Sequence, residues 1–246
     1  MAPINILWIV LACIGSYLLG SIPFSVWIGK LATGVDLREH NVKNPGGMNA
    51  VRTYGIAIGL PILLLDFFKG TLTIMLLDHL FNLDYFVAAD GSNIWYTLAV
   101  ILGPAFCVIG HNYPIWLKFE GGQGLGVFMG ATLYLNPIVF IFYSLAMIFI
   151  MTVVKMNVRY GTMVVIIAEI ILALFLPLSP PWSNLAANEF AALPGFLELK
   201  FALILIAMFL LIALRAVNAY LKGKKTATWK VGENGEQDFS ENKASS

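Results

Sequence analysis

The chain has 246 residues, 59% hydrophobic and 12% charged, with a mean hydropathy of +0.81 and a formal net charge of +1. An average soluble domain carries roughly 25% charged residues, so this composition excludes a soluble globular protein and leaves no room for a separate soluble domain. The charges are segregated: 13 of the 15 lysines and arginines fall in residues 30–52, 118, 155–159 and 215–243, a pattern of topogenic loops between apolar spans rather than of nucleic-acid-binding arms.

A helix needs about 20 apolar residues to cross the hydrocarbon core. Ile4–Ile28 is the first such run; it lacks a basic leader and exceeds the apolar core of a signal peptide, so it reads as a retained span. Tyr54–Leu77 and Ile94–Ile109 follow. Leu125–Val154 is 30 residues long and carries Asn136–Pro137 within it. Proline removes a donor and disfavours helix at the residue before it, so the run is predicted to split into a short helix, Leu125–Leu135, and a longer one, Ile138–Val154. Tyr160–Leu178 and Phe196–Val217 complete a set of seven.

An odd number of crossings puts the termini on opposite faces. With the uncharged N-terminus outside, the basic regions all fall on the cytoplasmic side, and the 78–93 loop, with Asp78, Asp84 and Asp90 and no lysine or arginine, falls outside. The expected architecture is an all-α polytopic membrane protein of about seven helices, some short, formed by residues 1–221. A tail, 222–246, mixes Lys, Glu, Gly and Ser without apolar periodicity and is expected to be disordered. Cys13 and Cys107 lie inside apolar runs with no CxxC spacing, so neither a disulfide framework nor a metal site is implied.

Chemistry is therefore expected on loops at the inner membrane surface. Three polar, glycine-rich stretches lie there: GSIPFSVWIGK continuing into DLREHNVKNPGGMNAVR, then GHNYPIWLKFEGGQG, then RYGTM with LRAVN. Backbone N–H groups of glycines ahead of a helix, with arginines nearby, suit phosphate or another anion, and GGQG at 121–124 directly precedes the short helix. A simple interfacial bend explains the same glycines equally well, and nothing fits a Walker A loop.

Taken together, YLLGSIP, NPGGMNAVR, LDFFKG, GHNYPIWLKFEGGQG and RYGTM, in this order, resemble the bacterial acyl-phosphate:glycerol-3-phosphate acyltransferase family over roughly residues 15–220. The resemblance implies an inner-membrane enzyme that moves a fatty acyl group from acyl phosphate to the 1-hydroxyl of glycerol 3-phosphate, giving lysophosphatidic acid. It implies membrane lipids as surroundings and no metal, cofactor, coenzyme A or nucleic acid; it leaves the oligomeric state open. Carried over by motif, His111, Asn112 and Arg52 are the catalytic candidates. The substrate-binding candidates are Arg38, Lys43, Asn44, Gly46, Gly47, Asn49, Lys69, Gly121, Gly122, Gln123, Gly124, Thr162, Arg215 and Asn218.

Purely structural roles compete with these chemical ones. Asp66 and Lys69, at i and i+3, can pair within the span. Glu169, midway along the sixth span, has no evident partner. Departures from the family pattern fall on charge: Asn41-Val42-Lys43 replaces Gly-Ser-Gly, Gly47-Met48 replaces Ala-Thr, Glu120 and Gln123 replace two lysines, and Arg215 replaces a histidine. Lys43 and Arg215 return positive charge to the same side and are expected to substitute in part for the lost lysines. A non-catalytic relative that binds a lipid or phospho-metabolite, or regulates a partner, is the alternative reading.

Overall fold

A computed structural model of the chain describes residues 2–41, 43–86, 94–156, 158–175 and 196–221. The expected disordered tail lies outside the described residues. Nine α-helices occur among those described: α1 (Ala2–Ser21), α2 (Phe24–Thr33), α3 (Gly47–Tyr54), α4 (Ile56–Leu80), α5 (Ile94–Asn112), α6 (Leu125–Leu135), α7 (Pro137–Phe149), α8 (Val158–Ala173) and α9 (Phe196–Leu221). Five stretches are long and apolar enough to cross a membrane: Ile4–Thr33, Ile56–Leu80, Ile94–Leu117, Pro137–Val154 and Leu199–Tyr220. Two apolar helices, α6 and Tyr160–Ala173 of α8, are shorter. Five and two make the seven apolar helices read from the sequence.

The Asn136–Pro137 split is present, and its cause is local. Asn136 is extended, its side-chain oxygen accepts from the N–H groups of Ile138 (3.0 Å) and Val139 (3.2 Å), and Pro137 stands at the first helical position where its missing N–H costs nothing. The first span differs from expectation. It is not one helix over Ile4–Ile28: Pro23 interrupts it, so α1 stops at Ser21 and α2 starts at Phe24. The break leaves carbonyls at the C-terminal end of α1 without helical partners, and the candidate site is built around them. The π-helical turn Ile150–Val154 extends α7 to Lys155, which takes the left-handed conformation at φ 53°.

The helices cross at small residues. A Cβ at Gly20 would lie 2.1 Å from the Cys107 carbonyl oxygen and one at Gly110 2.1 Å from that of Tyr17, so α1 and α5 meet backbone to backbone. Gly70 and Gly130 do the same for α4 and α6, with Cβ positions 1.9 Å from the Val127 oxygen and 1.8 Å from the Phe67 oxygen. The outward faces are apolar: Ile4, Leu7, Leu11, Ile14 and Leu18 of α1 form one exposed stripe. Water would penalise a patch of that size, whereas hydrocarbon accepts it.

Buried charge sits at two levels of α4. Asp78, expected in the outer loop, instead closes α4 inside the bundle and accepts the hydroxyls of Tyr96 (2.5 Å) and Tyr134 (2.7 Å), with Lys200 over the Tyr96 ring at 5.1 Å. Asp66 and Lys69 lie roughly 15 Å further down the helix at 1.5 Å per residue. Glu169 is fully buried, and neither carboxyl oxygen has a partner among the described residues.

Candidate active site

The cleft lies where the α1–α2 break, the middle of α4, the end of α5 and the Gly121–Gly122 turn meet. Its lining includes Gly20, Ser21, Ser25, Asp66, Lys69, His111 and Gly122. Lys69 organises it. Its ammonium donates to Asp66 Oδ1 (2.8 Å), to the Gly20 carbonyl (3.4 Å) and to the Ile22 carbonyl. An ammonium has three protons, so Lys69 caps the broken end of α1 and has none left for a phosphate. The structure thus gives this candidate ligand a fastening position instead, and the same bonds neutralise an otherwise costly buried Asp66.

Asp66 Oδ1 also stands 3.8 Å from His111 Nδ1, while Asp66 Oδ2 and the Ser21 hydroxyl are buried, line the cleft and have no partner among the described residues. His111 is buried at the end of α5, and its Nε2 edge faces Gly122 so closely that a Cβ there would lie 2.2 Å away. Gly122 is therefore glycine because the imidazole occupies the space of a side chain.

The glycine turn is held from both sides. On the α5 side the Gly121 N–H donates to the Asn112 carbonyl (3.1 Å) and the Gly122 N–H to that of His111 (3.0 Å). On the α9 side Arg215 donates from Nη2 to the Gly121 oxygen (2.8 Å) and from Nε to the Gly122 oxygen (3.2 Å). The guanidinium lies over the Tyr113 ring at 5.2 Å, and Asn218 donates to the Tyr113 hydroxyl at 3.0 Å. Two of the N–H groups expected to cradle an anion are thus occupied. The backbone N–H groups of Gln123 and Gly124, in the turn leading into α6, make no backbone hydrogen bond among the described residues. Gly124 takes φ +83°, and a Cβ there would press on Asn112 Oδ1 at 2.9 Å. Asn112 itself is fully buried and donates to the Leu211 carbonyl at 3.4 Å, tying α5 to α9.

The 34–46 loop covers α3. Asn49 donates from Nδ2 toward the carbonyls of Asn44 (2.9 Å), Leu37 (3.4 Å) and His40 (3.4 Å), which makes it the fastener of the loop. Asn44 Oδ1 is buried and has no partner among the described residues. Gly46 caps α3, and Gly47 lies against Leu63, where a Cβ would be 2.8 Å from the Cα. Ser25 donates to the Pro45 carbonyl at 2.8 Å, joining this loop to the cleft. Arg38 forks onto Asp36, Nε to Oδ1 at 3.0 Å and Nη2 to Oδ2 at 2.7 Å, and this pairing holds the Asp36 carboxyl down at about 2. Lys43 is exposed. Arg52, in the last turn of α3, is half-buried and makes no hydrogen bond or ion pair among the described residues; burial pulls its pKa below the usual arginine value.

The structure thus brings His111, Asn112, Lys69, Gly121, Gly122, Gln123, Gly124, Arg215 and Asn218 together, with the 34–46 loop alongside. Thr162 stands apart in the α7–α8 interface, its hydroxyl 3.9 Å from Met147 Sδ. Asp66 as the neighbour of His111, Ser21 and Tyr113 were not singled out from the sequence. Ser21 and Tyr113 lie inside the GSIP and GHNYP motifs, which is the signal that could have found them.

The chain is 40% identical over 136 residues to the glycerol-3-phosphate acyltransferase of Acholeplasma laidlawii, covering 55% of this chain and 56% of that protein. It is 36% identical over 161 residues to glycerol-3-phosphate acyltransferase 2 of Bacillus cereus, covering 63% and 73%. Among solved structures it resembles the glycerol 3-phosphate form of PlsY (YgiH), an integral membrane glycerol 3-phosphate acyltransferase, with a TM-score of 0.65, 26% identity and coverage of 93% of this chain and 99% of that one. The lysophosphatidic acid form of PlsY shares the fold at a TM-score of 0.63. Because the profile of glycerol-3-phosphate acyltransferases matches residues 10–222, a range that takes in the helix break, both loops and the α9 arginine, the chain belongs to that family.

Proposed function

We propose that this chain transfers a fatty acyl group from acyl phosphate to the 1-hydroxyl of glycerol 3-phosphate, releasing phosphate and giving lysophosphatidic acid. It is a multi-pass membrane protein. Its place is the plasma membrane of a bacterium, with the N-terminus outside and the basic loops and C-terminus cytoplasmic, a reading supported by the bacterial relatives and by the charge segregation.

The observation that carries the proposal is the buried Asp66–His111 pair, with Asp66 Oδ2 and the Ser21 hydroxyl unpartnered among the described residues in the same cleft. Buried polar atoms are ordinarily hydrogen-bonded, and a polyol supplies hydroxyls for both. In this reading the acceptor alcohol lies beside His111. Its oxygen attacks the acyl carbonyl, the carbonyl–oxygen bond to phosphate breaks, and the hydroxyl proton passes by way of His111 to the departing phosphate. The donor is already activated, so positioning and charge supply most of the catalysis.

Two anionic substrates need cations. Arg52 has a half-buried guanidinium with no protein anion attached among the described residues, which suits a phosphate better than water. Lys43 lies exposed ahead of α3, whereas Arg38 is already forked onto Asp36. Glu120 and Gln123 do not decide for the non-catalytic alternative, because His111 lines the cleft and the family match spans both loops.

The test is direct. Purified protein in liposomes, given long-chain acyl phosphate and radiolabelled glycerol 3-phosphate, makes labelled lysophosphatidic acid, and acyl-coenzyme A in place of acyl phosphate makes none. Saturable binding of either substrate with no product would overturn the reading in favour of a non-catalytic relative.

A further inference from the structure

The positive charge of Arg215 is not displayed to a ligand. The residue is 7% exposed, lies over Tyr113, and directs Nε and Nη2 to the carbonyl oxygens of Gly122 and Gly121. No cis peptide occurs among the described residues, and in a trans peptide the C=O and the following N–H point in opposite directions. Binding the Gly121 oxygen therefore turns the Gly122 N–H away from Arg215, and that N–H duly meets the His111 carbonyl at 3.0 Å. Binding the Gly122 oxygen turns the Gln123 N–H away from Arg215 in the same manner. This second N–H makes no backbone hydrogen bond among the described residues.

We infer that Arg215 is a positioning residue, which holds the Gly121–Gly122 turn so that the Gln123 amide N–H is presented, polarised, to the anionic group handled beside His111. This rests on the acyl-transfer reading and adds to it. A guanidinium on a carbonyl oxygen strengthens the N–H of the same peptide as a donor. Gln123 stands where the family pattern has a lysine, so in this chain the missing positive charge acts through the main chain from behind the turn. The planar fork holds the carbonyls of two consecutive residues at once in one fixed geometry. Tyr113 fixes the height of the fork: its hydroxyl accepts from Asn218 at 3.0 Å and its carbonyl accepts from Tyr17 at 3.0 Å.

The test uses the full chain in liposomes with R215A and R215K, varying glycerol 3-phosphate and acyl phosphate separately, beside hydrogen exchange of the peptides covering 119–126. R215A is expected to lower kcat by about 10²-fold, the usual effect of losing one preorganised donor, while leaving both KM values within about threefold. R215K is expected to recover part of kcat, because an ammonium reaches the carbonyls without the fork. Exchange across 119–126 speeds up about tenfold in R215A, with peptides from α1 unchanged. A raised KM for glycerol 3-phosphate at unchanged kcat would overturn the inference, because Arg215 would then touch substrate; so would unchanged exchange. If the unmodified protein makes no lysophosphatidic acid, the transfer reading fails, and the exchange measurement still decides whether Arg215 holds the turn. Should R215A fail to fold, R215K supplies both readouts.

Discussion

Gly122→Ala is the smallest perturbation that tests the site as built. The added methyl carbon would lie 2.2 Å from His111 Nε2, 2.9 Å from Cδ2 and 3.1 Å from Cε1, so it strikes the edge of the imidazole rather than one flexible atom. Ordinary contact is about 3.5 Å, so ring and turn must separate by roughly 1.3 Å. The turn cannot easily supply this movement, being bonded to the His111 and Asn112 carbonyls on one side and to Arg215 on the other. A misplacement of about 1 Å at a reacting group costs on the order of 10²-fold in rate, or about 2.7 kcal/mol in the barrier. Relieving the overlap by backbone shifts costs a further 1–3 kcal/mol or so in stability. The assay is lysophosphatidic acid formation in liposomes at saturating substrates, with thermal unfolding of the same preparation. Gly15→Ala is the control: nothing among the described residues lies within 4 Å of its Cβ, so activity should hold and the helix should gain slightly. A Gly122→Ala protein within about threefold of the unmodified rate would refute the account of His111 packed on a backbone that admits no side chain.

Two further predictions concern stability. Lys69→Met leaves Asp66 buried without its cation and the carbonyls of the α1–α2 break without a donor, so the protein should lose about 3–5 kcal/mol, seen as a lower unfolding temperature in detergent; adding Asp66→Asn should recover part of the loss, and a Lys69→Met protein as stable as the original would contradict the capping role. For Asp36 the sign follows from its depressed carboxyl: held at about 2 in the fold against an ordinary 3.8, it lends the 34–46 loop a stability that is full above about 4 and is lost as pH falls towards 2. Pepsin cleavage near Leu37 should therefore rise steeply over that window, and Asp36→Asn should abolish the steepness.

Much of the architecture was legible because hydropathy adds up along the chain. A run of 20 apolar residues prefers hydrocarbon whatever it later packs against, and Asn136–Pro137 splits a run through the geometry of two residues. The interruption at Pro23 rested on an equally local rule, yet the apolar residues on both sides concealed it. His111, Asn112 and the glycine turn were recognisable as a motif. What each group bonds to was not, because that depends on partners far away in sequence: Lys69 meets Gly20 and Ile22, and Arg215 meets Gly121 and Gly122.

The amino-acid order by itself therefore determined that the chain enters a membrane, about how many apolar helices it forms, and which polar motifs it shares with its family. Only the tertiary structure decided which cations remain free. An ammonium or guanidinium looks equally available in any loop until folding brings carbonyls within 3 Å or so of it. Packing has committed Lys69, Arg38 and Arg215 to protein acceptors and left Arg52 without one among the described residues.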